Sequence, residues 1–196
     1  MQTLSSKLPN EFTYQENGIL YALRALTLPQ DFSLLYNWMH EPHVIPQWQL
    51  NKPELELAVY FEKMLIDDHQ RLYIIQIEGQ DVGYLEIYEA KRDRLSLYYP
   101  ALENDLGWHI LLGEKNVVGK GHFKAVMRMM SYFIFEHSTA EKIVGEPDEN
   151  VKSYEYVAQE IAFEAQKSIQ MLEKTAILYH CFREKFYETC GKLTPH

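Results

Sequence analysis

With 196 residues, the chain is long enough to bury a full apolar core in one large domain without disulfide or metal staples. Apolar residues make up 46% and aromatics 13%, which excludes an intrinsically disordered chain. Nineteen Lys and Arg against 28 Asp and Glu leave a net charge of −9, which argues against nucleic acid or an anionic membrane as the partner and is compatible with a cationic small substrate.

Two cysteines, Cys181 and Cys190, stand outside any C-x-x-C pair and give no disulfide framework. The first residues lack the apolar run of a signal peptide, and no stretch approaches the ~18 apolar residues of a membrane span, so a soluble cytoplasmic protein is expected. Residues 1–18 are polar and punctuated by Pro9 and Gly18, and read as a loosely held lead-in. Ile19–Leu26 alternates as a first strand, and Pro29, Gln30 and Asp31 supply a turn and a helix N-cap. The helix that follows carries Phe32, Leu35, Tyr36 and Met39 on one side.

Trp38 to Gln49 reads W-M-H-E-P-H-V-I-P-Q-W-Q, and its two prolines break any helix, leaving a loop with two Trp and two His. Such a loop is either pinned by aromatic anchors or forms the wall of a substrate pocket. His40 and His43 have no third ligand nearby in the sequence, so no metal is expected. Pro53 opens a second helix to about Ile66. Leu72–Ile77 and Val82–Tyr88, joined by Glu78-Gly79-Gln80-Asp81, form a β-hairpin with Tyr84, Glu86 and Tyr88 on one face and Leu85 and Ile87 on the other. That first face lines a polar cleft or simply packs across strands. Leu95–Tyr99 is a further strand candidate, stopped by Pro100.

Asp105 to Asn150 is the most informative stretch. Trp108–Leu112 is an apolar strand, and Phe123, Val126, Met127, Met130, Phe133 and Ile134 keep a helical period, which makes Met129 and Met130 core or its margin. Lys142–Gly145 is strand-like, Tyr154–Ile161 helical, Gln166–Leu172 and Thr175–Arg183 two closing strands, and Phe186–Thr189 a frayed turn. The whole is one mixed α/β domain, with a largely antiparallel sheet and no linker or repeat.

Between strand and helix lies Gly119-Lys120-Gly121. A Walker loop would need Ser or Thr after the Lys, where Gly121 stands, and a dinucleotide fingerprint would need Gly at Lys124. The remaining possibilities are an ordinary strand-to-helix turn or the diphosphate turn of an acyl-CoA-dependent N-acetyltransferase, in which backbone N–H groups at a helix start hold an anion. Lys115, Lys120, His122 and Lys124 face only Glu114 in the local sequence, which agrees with an anion site. His109 on the strand is a candidate for chemistry or a core histidine, and Asp148 is either an acidic partner or a helix N-cap.

The combination D-L-G-W-H-I-L-L-G, V-V-G-K-G, the helix ending in F-I-F, and I-V-G-E-P-D-E-N resembles the siderophore-biosynthesis branch of the GNAT N-acetyltransferases. G-Y-L-E-I-Y-E-A-K-R-D and W-M-H-E-P-H-V-I-P-Q-W also look like that branch, so the resemblance spans about 38–183. It implies an acetyltransferase-type domain with acetyl-CoA or another acyl-CoA as donor, no metal, and a small amine or hydroxylamine as acceptor, converted to a hydroxamate. The hydroxylated acceptor is N-hydroxylysine, N-hydroxyornithine or an N-hydroxydiamine. By the same resemblance His109 is the active-site histidine and Asp148 its acidic companion. Leu111, Leu112 and Gly113 offer backbone groups to the pantetheine arm. Val118, Gly119, Lys120, Gly121, His122 and Phe123 hold the diphosphate, with Asn150 beside the coenzyme. Trp38, Trp48, Tyr84 and Glu86 line the acceptor pocket.

Three positions depart from the family pattern. Asn116 or Val118 stands where Gln or Arg is usual, Ala162-Phe163 replaces Gly-Phe, and Val157 occupies the place of a frequent Tyr, with Tyr154 and Tyr156 as neighbours. The rival functions are an aminoglycoside 6′-N-acetyltransferase and a non-catalytic coenzyme-binding domain of the same fold.

Overall fold

One eight-stranded sheet, in the order β1-β2-β3-β4-β5-β6-β8-β7, runs through the computed structural model, which describes residues 2–193, Ser153 by its backbone alone. Its strands are β1 (Glu11–Glu16), β2 (Ile19–Ala25), β3 (Gln70–Ile77), β4 (Gln80–Glu89), β5 (Asp105–Leu112), β6 (Lys142–Gly145), β7 (Glu164–Gln170) and β8 (Thr175–Phe182). All neighbours are antiparallel except β5 and β6. A parallel neighbour needs a crossover, and α4 (His122–His137) supplies it. Its Val126, Met127, Met129, Met130, Phe133 and Ile134 are all fully buried against one face of the sheet. On the other face α1 (Phe32–Met39) and α3 (Glu54–Ile66) cover a second cluster around Leu35, Trp38, Phe61, Ile74 and Tyr84.

The parallel pair is short. Only Asp105, Leu106 and Gly107 pair with Lys142, Ile143 and Val144. β5 then runs on to Leu112 while β6 stops at Gly145, so the two strands part and β5 has no partner on that edge.

Several elements differ from the sequence expectation. Of the expected loose lead-in 1–18, residues 2–18 are described, and they are structured: Ser5–Lys7 is a 3₁₀ turn, and β1 forms a hairpin with β2. Asn17 and Gly18 both take positive φ, 53° and 79°, which is the chemistry of a two-residue turn whose twist matches paired strands. β1 is polar because it is an edge strand with an exposed face. Leu95–Tyr99 is not a strand; Arg94–Leu97 is a 3₁₀ turn whose start is capped by the Asp93 carboxylate accepting from Leu95 N at 2.8 Å. The Trp38–Gln49 segment is not all loop. Trp38 and Met39 end α1, and α2 (Ile45–Trp48) holds Pro46 in its first turn, where a missing N–H costs nothing. Pro53 caps α3 from outside, one residue before the helix. Asp31 precedes α1 without capping it, because both its oxygens accept from the Arg24 guanidinium, at 2.8 and 2.9 Å. After α5 (Lys152–Ala158), the tail ends in α6 (Arg183–Cys190), a two-turn helix anchored by buried Phe186. Among the described residues no helix is long and apolar enough to cross a membrane.

Candidate active site

Strand register brings the central residues together. In the antiparallel β4–β5 pair, Glu86 lies directly opposite His109. On the other side, Gly107 pairs with Val144, and carrying that register two residues further places Glu146 beside His109. His109 Nδ1 donates to Glu86 Oε2 at 2.7 Å, and Nε2 donates to Glu146 Oε1 at 2.8 Å. Each carboxylate spends its second oxygen on a buried tyrosine: Tyr84 OH donates to Glu86 Oε1 and Tyr88 OH to Glu146 Oε2, both at 3.0 Å. The result is a continuous chain, Tyr84–Glu86–His109–Glu146–Tyr88.

Its protonation follows from its neighbours. Burial disfavours the His109 imidazolium, but the charge and hydrogen bond of Glu146 and those of Glu86 outweigh it and push its pKa up to about 10. Burial likewise opposes the Glu146 carboxylate, yet His109 first and Lys174 next hold it well below the usual carboxylate range. Tyr84 and Tyr88 are raised far above a free phenol, by burial first and then by the adjacent carboxylates, so both remain donors. At neutral pH His109 is therefore an imidazolium held between the Glu146 carboxylate and Glu86. The His109 ring lies over the Tyr88 ring at 4.8 Å and edge-on to Trp48 at 6.3 Å, and 29% of its side chain stays exposed.

The other expected site residues divide into those that gather here and those that do not. Trp48, Tyr84 and Glu86 surround His109. Trp38 does not: it is buried at the end of β5, where a Cβ on Gly113 would fall 2.1 Å from its ring, and its Nε1 donates to Glu114 at 2.9 Å. Asp148 is not the partner of His109. Its carboxylate accepts from the backbone and side-chain nitrogens of Asn150 at 2.8 and 2.9 Å, at a position where the chain still keeps register with β8 through a bridge to Ala176. Glu146 holds the place that the sequence reading gave to Asp148. The alternation of β6 was the signal that could have found it.

At the turn before α4, Gly119 and Gly121 have φ of 74° and 84°, a left-handed geometry that favours glycine, and no side chain caps the first turn of α4. Val118 is exposed at the mouth of this turn, and His122 begins α4 with Nδ1 3.0 Å from Tyr21 OH. Phe123 packs on Tyr154 at 6.2 Å. The local basic cluster is smaller than the sequence suggests. Lys115 pairs with Glu41 at 3.0 Å and Lys124 with Glu160 at 2.7 Å, leaving Lys120 as the lysine of the turn with no carboxylate partner among the described residues. Past the end of β5, Gly113 N donates to Val82 O of β4 and Leu112 O accepts from His43 Nε2 at 3.0 Å, while Leu111 is buried in the cluster beneath α1 and α3. A cleft of about 480 Å³ opens between the segment after β6 and strands β7 and β8, lined by Asp148, Asn150, Tyr154 and Tyr179 among others. Tyr154 is buried with its hydroxyl unpartnered and Tyr156 is 79% exposed, so neither neighbour of Val157 touches the His109 group. Ala162 has φ 61°, the conformation for which the family's usual Gly is suited. Among the described residues no group of three or more metal-ligating side chains is placed to hold an ion.

The model of the acetyltransferase (GNAT) domain matches residues 27–171. Over 191 residues the chain is 67% identical to the N-hydroxyputrescine acetyltransferase of Acinetobacter baumannii, covering 97% of this chain and 91% of that one. It is 28% identical to the N(5)-hydroxyornithine:cis-anhydromevalonyl coenzyme A-N(5)-transacylase SIDF of Beauveria bassiana, of which it spans only 35%. Among solved structures, an uncharacterized protein from Bacillus halodurans superposes with a TM-score of 0.87 at 30% identity, with 95% of each chain covered. The aminoglycoside acetyltransferase AAC(6')-Ib with coenzyme A and kanamycin superposes with a TM-score of 0.77 at 21% identity, covering 86% of this chain and 98% of that one, a likeness of fold alone. The splayed β5–β6 pair, the glycine turn and the His109 cluster thus sit in a chain that belongs to the GNAT acetyltransferases, in the branch that holds the N-hydroxyputrescine and hydroxyornithine enzymes.

Proposed function

We propose that this enzyme transfers an acetyl group from acetyl-CoA to the hydroxylated nitrogen of N-hydroxyputrescine, giving a hydroxamate for siderophore assembly and free coenzyme A. The observation that carries the reading is the 67% identity to an N-hydroxyputrescine acetyltransferase along nearly the whole of both chains. The charge around His109 supports it. Glu86 and Glu146 face His109 and Lys174, and the nearby Arg94 is already paired with Glu173 at 2.6 Å, so among the described residues these cations are all engaged. A diamine acceptor keeps a distal ammonium, which such a site favours, whereas an N-hydroxyamino acid adds a carboxylate with no free cation beside it.

The chemistry follows from the proton inventory. A hydroxylamine nitrogen is less basic than an alkylamine and arrives neutral. Its lone pair forms the C–N bond, the C–S bond breaks, and the nitrogen's proton must leave. Both nitrogens of His109 already carry donated protons, so the imidazole alone offers no lone pair. The Glu86–His109–Glu146 unit takes the proton as a whole and returns it to the departing thiolate. Its contribution as proton acceptor is of the order of 10²–10⁴-fold. Trp48 closes one side of the acceptor position, and the Gly119–Gly121 turn with Lys120 holds the coenzyme diphosphate.

Mass spectrometry of products from N-hydroxyputrescine, N-hydroxylysine, N-hydroxyornithine and kanamycin, each with acetyl-CoA and succinyl-CoA, tests both halves of the reading. Acetylated N-hydroxyputrescine as the main product is the expected result, and a preference for N-hydroxylysine or kanamycin contradicts it.

A further inference from the structure

Glu146 and Glu86 are not equivalent partners of His109. Glu86 faces one cation. Glu146 faces two, since Lys174, in the turn between β7 and β8, donates to Glu146 O at 2.6 Å and stands 3.8 Å from Glu146 Oε1, the oxygen that also binds His109. The Glu146 side chain is only 1% exposed, and the Lys174 turn is itself closed by Met171 N donating to Lys174 O at 2.9 Å. The remaining groups that face the unit are accounted for. Arg94 is neutralised by Glu173, Asp93 caps the 3₁₀ turn, and Tyr60, Tyr84 and Tyr88 stay neutral. Among the described residues Lys174 has no other carboxylate partner.

We infer that Lys174 is a positioning residue that fixes Glu146 as the permanently charged end of the unit and directs the acceptor's proton to the Glu86–His109 side. The inference rests on the proposed role of this unit as proton acceptor. A proton moving onto the unit settles where the fewest positive charges oppose it. Two cations beside Glu146 and one beside Glu86 decide that choice. Lys174 also lowers the proton affinity of the whole unit, so that it stays unprotonated and ready at lower pH than it otherwise would.

The test is the pH dependence of kcat in Lys174→Met and Lys174→Arg, with acetyl-CoA and N-hydroxyputrescine, together with NMR titration of the His109 imidazole in the same proteins. In Lys174→Met the acidic limb of kcat moves to higher pH by about one unit, because a unit freed of that cation takes up a proton sooner. The His109 resonances follow the same direction, and Lys174→Arg restores both. A folded Lys174→Met whose kcat drops uniformly with the limb unmoved assigns Lys174 a merely structural part and overturns the inference. The NMR arm keeps the two readings apart: unmoved His109 resonances overturn the Lys174 inference even where turnover is absent, whereas a wild type that does not acetylate N-hydroxyputrescine counts against the proposed function alone.

Discussion

Glu146 Oε1 lies 2.8 Å from His109 Nε2, while Asp148, two residues on, turns its carboxylate away to Asn150. The two acids therefore do different work, and substitution separates them. Glu146→Gln leaves the imidazolium with one carboxylate and removes a negative charge that the proton-accepting unit depends on, so kcat falls about 10²-fold. Asp148→Asn keeps kcat within about threefold and costs about 1 kcal/mol of stability through the loop hydrogen bonds. Steady-state kinetics and urea unfolding of the two variants check both statements. Equal losses of kcat would show that the Asp148 turn also reaches the reacting atoms.

The pH behaviour of His109 differs from that of a free imidazole base. With its pKa pushed up to about 10, His109 is already an imidazolium throughout the neutral range, so kcat has no inflection near pH 6.5. The folded value lies above the unfolded one, so the stabilisation from this group is fully present below pH ~6.5 and is lost as pH rises through about 10. Thermal midpoints of the wild type and His109→Asn, measured from pH 6 to 11, should converge toward the alkaline end. A gap that stays constant to pH 11 would show that the imidazole is neutral in the folded protein.

Much of this was legible in the sequence, and the misses have physical reasons. The α4 period, the β3–β4 hairpin and the alternation of Tyr84, Glu86 and Tyr88 are set by local hydrophobic pattern, which a sequence carries openly. The Asn17-Gly18 turn was equally open, but the polar edge strand before it has no apolar alternation to announce it. Glu146 was hidden for another reason. Its place beside His109 depends on the register of two strands 37 residues apart, and a motif comparison weights the Asp of E-P-D instead. The pairing of Lys115 with Glu41 and Lys124 with Glu160 was beyond reach for the same reason, since both partners come from other elements.

Gly107 holds the geometry of the cluster from behind. A Cβ there would fall 2.2 Å from the Tyr88 ring, so Gly107→Ala must displace Tyr88 and with it the hydrogen bond to Glu146. Overpacking of this kind costs about 1–3 kcal/mol. The account expects a lower thermal midpoint and a reduced kcat together, whereas full activity in Gly107→Ala would show that Tyr88 is dispensable to the unit.

Ala162 carries a conformation that suits glycine. At φ 61° a Cβ is strained by about 1–2 kcal/mol, and the greater flexibility of glycine in the unfolded chain offsets about 0.5–1 kcal/mol of any relief. Ala162→Gly should therefore stabilise the protein by up to about 1 kcal/mol with turnover unchanged, as read from chemical denaturation. A loss of stability would mean that the Ala162 methyl, buried at 5% exposure, is worth more in packing than the strain it causes.

The most direct measurement of the central claim is turnover of N-hydroxyputrescine and of unmodified putrescine with acetyl-CoA, in the wild type and in His109→Gln, followed by the release of free thiol and the mass of the product. The account predicts one hydroxamate formed per coenzyme A released, a strong preference for the hydroxylated amine, and a loss of about 10²-fold or more in the variant. Equal rates on both amines, or wild-type turnover in His109→Gln, would contradict it.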